Sequence, residues 1–322
     1  MRGRPPEADA LHEAPHHQVA AHPRHRRAPV DTLDRPPIAT PEVALAALPV
    51  VARGRPRPLS HQTASDARSR HGCDGGAVHP GPTTLLLVRH GESVGNVAAT
   101  AADRAGAEVV DIDTRDADTP LSERGAEQAR ALGTWLGALG PDDTPQALWC
   151  SPYLRARQTA RHALDVAGLD LRVHTDERLR DRELGVLDRL TGTGVRRRLP
   201  DEAARRALLG KMYHRPPGGE SWADVALRLR TLVPDLERRE DGRRVLVVAH
   251  DAVVLLLRYV LEDLTEDELM DVVRSGSVRN ASVTRLDRAD DAWSLALFDE
   301  VGHLEALDAP VTEHEGTDDA RV

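Results

Sequence analysis

The sequence predicts an α/β protein, a three-layer sandwich in which a mixed, mainly parallel sheet has helices on both faces. Short apolar runs that are typical of buried strands alternate along the chain with amphipathic helical patterns. Two of these runs, at residues 83–88 and 244–249, are each followed closely by a histidine. Because parallel strands end at one edge of a sheet, we expect both histidines at the edge where open α/β folds hold ligands.

The remaining elements follow from the same patterns. A loop is expected after the first strand, through residue 119, and Ser122 is the predicted N-cap of a helix that stops at Gly140. Ser221 is a second predicted N-cap, with Asp224 three residues later in the capping-box position. The other predicted strands are residues 147–150, 171–173, 280–286 and 292–298, and the other helices are residues 154–166, 251–261 and 266–273.

Three segments of different character are expected. Residues 1–80 are rich in proline, arginine, histidine and alanine and carry 11 arginines against 8 acidic residues, so a disordered extension is predicted. Residues 81–300 form the predicted folded domain. Within it, residues 176–217 are a loop-rich insertion on the substrate side, with a helical centre near residues 195–209. Residues 301–322 are acidic and polar, and a disordered tail is predicted there.

The composition argues against several classes of function. Lys211 is the only lysine while arginine is abundant throughout, so the basic extension indicates a compositional bias rather than a nucleic-acid-binding tail. The apolar stretch at residues 43–52 is too short to span a bilayer and too deep for an ordinary secretory signal, so the cytoplasm is expected and no membrane partner is predicted. Neither a disulfide between Cys73 and Cys150 nor a metal site or cofactor is predicted. The oligomeric state stays open.

The two histidines at the strand ends are His90 and His250. A phosphate monoester repels nucleophiles, so its cleavage needs clustered cations, a neutral nucleophile and an acid for the departing alkoxide. We predict His90 as the nucleophile and Arg89 with Arg155 as the phosphate clamp, because guanidinium forks match phosphate oxygens and remain charged. Taken singly, each histidine also fits an exposed loop, and Arg155 also fits an ordinary helix salt bridge.

Several motifs accompany these residues. They are Arg89-His90-Gly91, Asn96, the run Ser151 to Ala160, the acidic cluster Asp181 to Glu183, and His250. In this combination the chain resembles the histidine phosphatase superfamily, which contains cofactor-dependent phosphoglycerate mutases and many phosphatases, over about residues 83–300. The resemblance implies a phosphoglycerate mutase-like fold, a phosphohistidine at His90, a His250 that contacts the phosphoryl group, and an Asn96 that hydrogen-bonds a phosphate oxygen. Ser93 is a further candidate of that kind.

Three carboxylates compete for the role of proton donor. The family pattern places a glutamate four residues before Gly185, where this chain has Asp181, which is shorter by one methylene. Glu183 lies on the same face if the segment is extended. Asp251 follows His250 where most relatives have glycine; a distant branch, the acid phosphatases and phytases, uses an aspartate there as proton donor. We favour Asp251 as an N-cap, and rank Asp181 first, Glu183 second and Asp251 third.

The leading functional hypothesis is a metal-independent phosphatase that hydrolyses phosphate monoesters through phospho-His90. Its partner is a phosphorylated substrate, in the simplest case a small molecule. Tyr213 and Arg215, just before a Pro-Pro-Gly-Gly turn, are candidates for the substrate pocket, although an aromatic residue there also fits packing. A phosphoglycerate mutase is the first alternative, but residues 98–119 lack the aromatic residues that the mutases carry. A non-catalytic phosphate-binding or scaffold module is the second.

Overall fold

The computed structural model describes residues 81–289 and 292–314. The predicted extension at residues 1–80 therefore lies outside the described residues. Within the described part, one sheet contains the strands β1 (Thr84–Arg89), β2 (Ala147–Cys150), β3 (Val173–Thr175), β4 (Arg244–Ala249), β5 (Val283–Ala289) and β6 (Ala292–Glu300). Their order is β3-β2-β4-β1-β5-β6. The first four are mutually parallel, and β5 is antiparallel to both of its neighbours, β1 and β6. The predicted fold class is confirmed.

The described residues also form nine α-helices, and helices cover both faces of this sheet. They are α1 (Val94–Arg104), α2 (Glu123–Gly137), α3 (Leu154–Ala167), α4 (Gly192–Arg198), α5 (Pro200–Tyr213), α6 (Trp222–Arg239), α7 (Asp251–Leu261), α8 (Glu266–Ser275) and α9 (Gly302–Glu305). Along β1, Leu85 and Leu87 join the apolar core that α6 and α7 cover, whereas Leu86 and Val88 join the core under α2 and α3. Burial on both faces explains why β1 and β4 are continuous apolar runs.

The register of β1 on β4 brings the two histidines together. Arg89 is paired with Ala249, so the residues that follow, His90 and His250, leave the sheet at the same level. The backbone N–H of His90 continues the ladder by donating to the carbonyl oxygen of Ala249 at 2.9 Å. Strand pairing thus assembles a two-imidazole site at the predicted edge.

The helix caps explain where the flanking helices begin. Ser122 Oγ accepts from the Gly125 N–H at 3.0 Å, which confirms the predicted N-cap of α2. At α6, Ser221 Oγ accepts from the Asp224 N–H at 3.1 Å, and Asp224 Oδ2 accepts from the Ser221 N–H at 2.8 Å, which confirms the capping box. Gly125 also permits a close approach, since a Cβ there would lie 1.9 Å from the carbonyl oxygen of Glu92. The start of α2 therefore presses directly on the loop after His90.

The prediction of a loop up to residue 119 is wrong for Val94–Arg104, because this segment forms α1. A capping box starts this helix: Ser93 Oγ accepts from the Asn96 N–H, and Asn96 Oδ1 accepts from the Ser93 N–H, both at 3.0 Å. The helix is alanine-rich and weakly apolar, so its pattern was hard to distinguish from a loop. The insertion is also more helical than expected, because α4 and α5 fill most of its second half.

The disordered tail predicted from residue 301 is wrong for residues 301–314. This segment contains α9, buries Leu304, and receives a 2.8 Å hydrogen bond from Gln128 Nε2 at the carbonyl oxygen of Pro310. Its acidic composition does not prevent ordering, because the contacts are made by its few apolar and backbone groups. Residues 315–322 lie outside the described residues. Over the described ranges, no helix combines the length and the apolar character needed to cross a membrane.

Candidate active site

His90 is a buried, neutral imidazole with one nitrogen held and the other turned into the site. The residue is only 3% exposed, and its Nδ1 lies 2.7 Å from the carbonyl oxygen of Gly91. A carbonyl oxygen only accepts, so Nδ1 carries the proton and Nε2 carries the lone pair. Burial holds the pKa of His90 well below its ordinary value, and the charge of Arg155 adds to the effect. Nε2 is therefore available as a nucleophile at neutral pH.

Arg155, in the first turn of α3, supplies the cation nearest to this nitrogen. Its Nε donates to His90 Nε2 at 3.1 Å, and its Nη2 donates to Asp181 Oδ2 at 2.9 Å. Nη1 donates to the carbonyl oxygen of Asp116 at 2.6 Å and lies 2.9 Å from the Asp116 carboxylate. Burial works against the charge, but the two aspartates raise the pKa of Arg155. A carboxylate thus contacts the guanidinium edge that a phosphate would use.

His250 lies beside His90 but faces different neighbours. The ring centroids are 5.1 Å apart with an interplanar angle of 64°. His250 Nε2 is 2.8 Å from Ser151 Oγ, and its Nδ1 is 3.1 Å from Asp181 Oδ2. Burial lowers the pKa of His250, although Asp181 opposes the shift. This ring can take up positive charge when negative charge builds beside it, because a carboxylate is already in place.

Arg89, at the end of β1, lines a cavity that opens beside His90 and Arg155. Its Nη1 donates to the carbonyl oxygen of Val278, and its Nη2 donates to the carbonyl oxygen of His314 at 3.2 Å. Because these acceptors are neutral, the charge of the guanidinium remains available to an anion. His314 belongs to the segment for which a disordered tail is predicted, yet this residue also lines the cavity.

The structure separates the three carboxylates that competed as proton donor. Asp181 lies between Arg155 and His250. Burial raises the pKa of Asp181, but these two groups outweigh it and hold the pKa well below its usual range. Glu183 is half exposed, accepts from the hydroxyl of Tyr153 at 2.9 Å, and does not line the cavity over the two imidazoles.

The favoured N-cap role of Asp251 is wrong by one residue. His250 is the N-cap of α7, because its backbone is still extended at φ −127° and ψ 163°, and Asp251 is the first helical residue. The carboxylate of Asp251 accepts from the Ala252 N–H at 2.7 Å and also lines the cavity.

A cavity of about 170 Å³ opens over these groups. Ser93 and Asn96 both line it, and Asn96 Oδ1 accepts from the N–H and the hydroxyl of Ser93. Arg182 and Arg189 line it too, and sequence reasoning missed both. Arg182 is buried, which lowers its pKa to about 10. Its only sequence signal is its place next to Asp181.

Tyr213 and Arg215, which were expected in the substrate pocket, do not line this cavity. Tyr213 ends α5 with its side chain exposed, and its hydroxyl donates to Glu266 at the start of α8. Arg215 pairs with Asp224 through Nε and Oδ2 at 2.6 Å, on the surface. The turn that follows directs both side chains to partners on other helices.

One atom each of His90, Asp181 and His250 lie within 4.8 Å of one another, a spacing that a metal ion accepts. Arg155 donates to two of these three groups, at 3.1 Å and 2.9 Å. A dication would have to share this space with a guanidinium, whereas an anion would be attracted by it. The charge distribution therefore fits a phosphoryl group better than a metal. Cys150 offers no competing nucleophile, because burial raises its pKa to about 12.

Comparison with known proteins gives a consistent result. The 6-phosphofructo-2-kinase/fructose-2,6-bisphosphatase of Caenorhabditis elegans is 34% identical over 180 residues, which are 55% of this chain and 34% of that protein. The chain thus spans about a third of the length of this relative. The probable phosphoglycerate mutase GpmB of Enterobacter sp. (strain 638) is 28% identical over 233 residues, which are 71% of this chain and 97% of that protein.

Solved structures show the same fold. A mycobacterial glucosyl-3-phosphoglycerate phosphatase in complex with VO3 superimposes with a TM-score of 0.55 at 31% identity, over 68% of this chain and 100% of that chain. The family profile described as histidine phosphatase superfamily (branch 1) matches residues 85–300, the segment that carries both imidazoles, Arg155 and Asp181. The chain belongs to the histidine phosphatase superfamily.

Proposed function

We propose that this protein is a metal-independent phosphatase that hydrolyses phosphate monoesters of small molecules through a phosphohistidine on His90. One observation carries the proposal. His90 presents an unprotonated Nε2 to a cavity that Arg155 and Arg89 also line, and a second imidazole, that of His250, packs against its ring. A neutral nucleophile among cations is the arrangement that attack on an anionic phosphorus centre requires.

In the first step, the phosphoryl group displaces Asp116 from Arg155 and engages both guanidinium groups. His90 Nε2 attacks phosphorus in line, the N–P bond forms, and the bond from phosphorus to the leaving oxygen breaks. Asp181, whose carboxylate lies within 4.8 Å of the attacking ring, gives a proton to the departing alkoxide. His250 stabilises the charge that collects on the phosphoryl oxygens.

In the second step, water attacks phospho-His90. The carboxylate of Asp181 takes a proton from this water, and the N–P bond breaks with its electron pair returning to His90 Nε2. Asp181 then passes this proton to the departing inorganic phosphate, which leaves as the monoanion, so that Asp181 is ionised and His90 neutral again. Asp181 is ionised in the empty site, so the proton it donates in the first step must be brought to it when substrate binds. A substrate that enters as the phosphate monoanion supplies that proton.

The relatives support phosphoryl chemistry of either kind. Two of those described carry phosphatase or bisphosphatase in their names, and one is named a probable phosphoglycerate mutase. The near-complete overlap with the mutase-type relative keeps phosphoryl transfer to a second hydroxyl as the alternative. Substrates, and the partners of the longer relatives, do not carry over to this chain.

The test is hydrolysis of an aryl phosphate by the full chain in excess EDTA, with wild type, His90→Ala and His250→Ala compared. Turnover should survive the chelator. His90→Ala should abolish both turnover and the phosphoenzyme that an alkaline quench traps. His250→Ala should slow turnover on the order of 10²–10³-fold, as for loss of one charge-stabilising group, but still form the phosphoenzyme.

Loss of turnover in EDTA, or a phosphoenzyme that persists in His90→Ala, would contradict the mechanism. Isomerisation of 3-phosphoglycerate in place of hydrolysis would establish the mutase alternative. Phosphate binding without either reaction would indicate a binding module.

A further inference from the structure

We propose that Gln128 is a positioning residue for His90, which it holds in the reactive tautomer through a single peptide unit. Its part in catalysis rests on the proposed reaction of His90; its effect on the ring does not. Gln128 lies on α2 one turn after Gly125, the glycine that lets this helix approach the loop after His90. The residue is fully buried, at 0% exposure, and does not line the cavity.

The contacts form a continuous chain from the amide to the ring. Gln128 Oε1 accepts from the backbone N–H of Glu92 at 2.8 Å. The carbonyl of that same peptide unit belongs to Gly91, and its oxygen accepts from His90 Nδ1 at 2.7 Å. A peptide whose N–H is hydrogen-bonded is more polarised, so its carbonyl oxygen is a stronger acceptor. Gln128 thereby favours the tautomer with the proton on Nδ1, which leaves Nε2 free to attack.

The orientation of the amide is fixed from behind by the C-terminal segment. Gln128 Nε2 donates to the carbonyl oxygen of Pro310 at 2.8 Å and lies 2.7 Å from Thr312 Oγ1. A flipped amide would set its NH₂ group against the Glu92 N–H and its oxygen against the Pro310 carbonyl. Only one orientation satisfies all partners, and it is the one that presents an oxygen to the Glu92 N–H in the loop after His90.

Other contacts hold the backbone of this loop without acting on that peptide. The Gly91 N–H donates to Thr159 Oγ1 at 3.0 Å, and Asn280 Nδ2 donates to the carbonyl oxygen of His90 at 3.0 Å. The loop therefore keeps two attachments when Gln128 is changed. This separates a role in the ring's tautomer from a role in folding.

The chain offers a matched control in Gln158 on α3. Its Oε1 also accepts from a backbone N–H, that of Leu121, at 2.8 Å, but this peptide does not contact the imidazole. Gln128→Met and Gln158→Met thus remove the same kind of bond at two places. The ring is observed directly by NMR of ¹⁵N-histidine-labelled full-length protein, beside kcat, KM and inhibition by inorganic phosphate.

Gln128→Met should raise the share of the second tautomer at His90, to an extent limited by Arg155 Nε, which also donates to His90 Nε2. Its kcat should fall roughly 10- to 100-fold, the range in which loss of an outer partner acts on metal-bound histidines. The inhibition constant of inorganic phosphate should not change, because the clamp is intact. Gln158→Met should leave the tautomer and kcat as in wild type.

Gln128→Glu keeps an acceptor for the Glu92 N–H but removes the donor to the Pro310 carbonyl. The Thr312 hydroxyl can turn to donate to the second carboxylate oxygen, so this variant isolates the acceptor that faces Glu92. It should restore the Nδ1–H tautomer and recover kcat relative to Gln128→Met. A carboxylate behind the ring also favours imidazolium, so the acid limb of kcat/KM should move to higher pH, which a purely structural role would not produce.

An unchanged tautomer in Gln128→Met would overturn the proposal, as would an equal loss of kcat in Gln158→Met. If Gln128→Met does not fold, Gln128→Glu decides: a shifted acid limb supports the role, and an unshifted one overturns it. If the wild type shows no turnover, the phosphatase proposal fails, while the NMR comparison still tests the effect of Gln128 on the ring.

Discussion

The two imidazoles of the site leave neighbouring strands at the same level, yet they face opposite charges. His90 turns Nε2 toward the guanidinium of Arg155 and bonds a backbone carbonyl through Nδ1. His250 turns Nδ1 toward the carboxylate of Asp181 and bonds the hydroxyl of Ser151 through Nε2. Both rings are buried and both have a lowered pKa. Their neighbours, rather than their backbone positions, therefore distinguish the proposed nucleophile from the proposed stabiliser of charge.

The contrast also explains how the site changes when phosphate arrives. Arg155 can transfer its donors from His90 and Asp116 to phosphoryl oxygens, which frees the lone pair on His90 Nε2. Asp181 can then act on the leaving oxygen while it remains beside His250. Each imidazole thus depends on one charged partner, and each partner can be changed separately.

The largest effect is expected at the partner of His250. Asp181→Asn removes the proposed general acid. Such a group typically contributes about 10²–10⁴-fold, so kcat on an alkyl phosphate should fall by that range. An aryl phosphate with a low leaving-group pKa needs little protonation and should lose much less. The two substrates are compared by steady-state kinetics in one buffer.

Glu183→Gln is the matched control for this change. It neutralises a carboxylate two residues away that bonds Tyr153 outside the cavity, and it should leave both substrates near wild-type rates. An equal loss on both substrates in Asp181→Asn would mean that Asp181 holds Arg155 in place and is not the acid. A selective loss in Glu183→Gln would move the role to Glu183.

A smaller effect is expected in the dependence of kcat/KM on pH. The pKa of Asp181 is depressed, so the leaving-group proton must enter with the phosphate monoanion. Kcat/KM should therefore fall about tenfold per pH unit above the second pKa of a phosphate monoester, which is about 6. As pH falls from 8 to 6, protonation of His90 should not reduce activity, because its pKa lies well below 6.5. A kcat/KM that rises from pH 6 to pH 8 would show that His90 or His250 must lose a proton first.

The sheet edge could be predicted from sequence because its information is local. Continuous apolar runs identify β1 and β4, and the residue after each run must stand at the edge of the sheet. Sequence reasoning therefore placed His90, His250 and Arg155 correctly with respect to their elements. It missed α1 because an alanine-rich helix opened by a Ser-x-x-Asn cap has neither a strong apolar stripe nor the usual acidic capping partner.

The outer part of the site could not be predicted, because it depends on contacts between distant segments. Arg155 meets Asp116 from 39 residues away, and Arg89 meets the carbonyl of His314 from 225 residues away. Nothing in the local pattern at Asp116 distinguishes it from the acidic residues around it. The same limit applies to Tyr213 and Arg215. Their position before a turn does not reveal that Tyr213 bonds Glu266 and Arg215 bonds Asp224.

The smallest effect is expected at Asp116, a carboxylate that pairs with Arg155. Asp116 occupies the guanidinium of Arg155 in the empty enzyme, so substrate phosphate must displace a carboxylate that is itself half exposed. Ion pairs of this exposure contribute about 0.2–1 kcal/mol, so Asp116→Asn should tighten binding of inorganic phosphate by roughly five-fold at most. Calorimetric titration with phosphate measures it, and Asp118→Asn, whose carboxylate pairs with Arg115 at 2.6 Å in the same turn, controls for loss of charge. Weaker phosphate binding in Asp116→Asn would mean that the carboxylate orients Arg155 for the substrate. In that case both imidazoles would have an aspartate as support, and the contrast between them would rest on Arg155 alone.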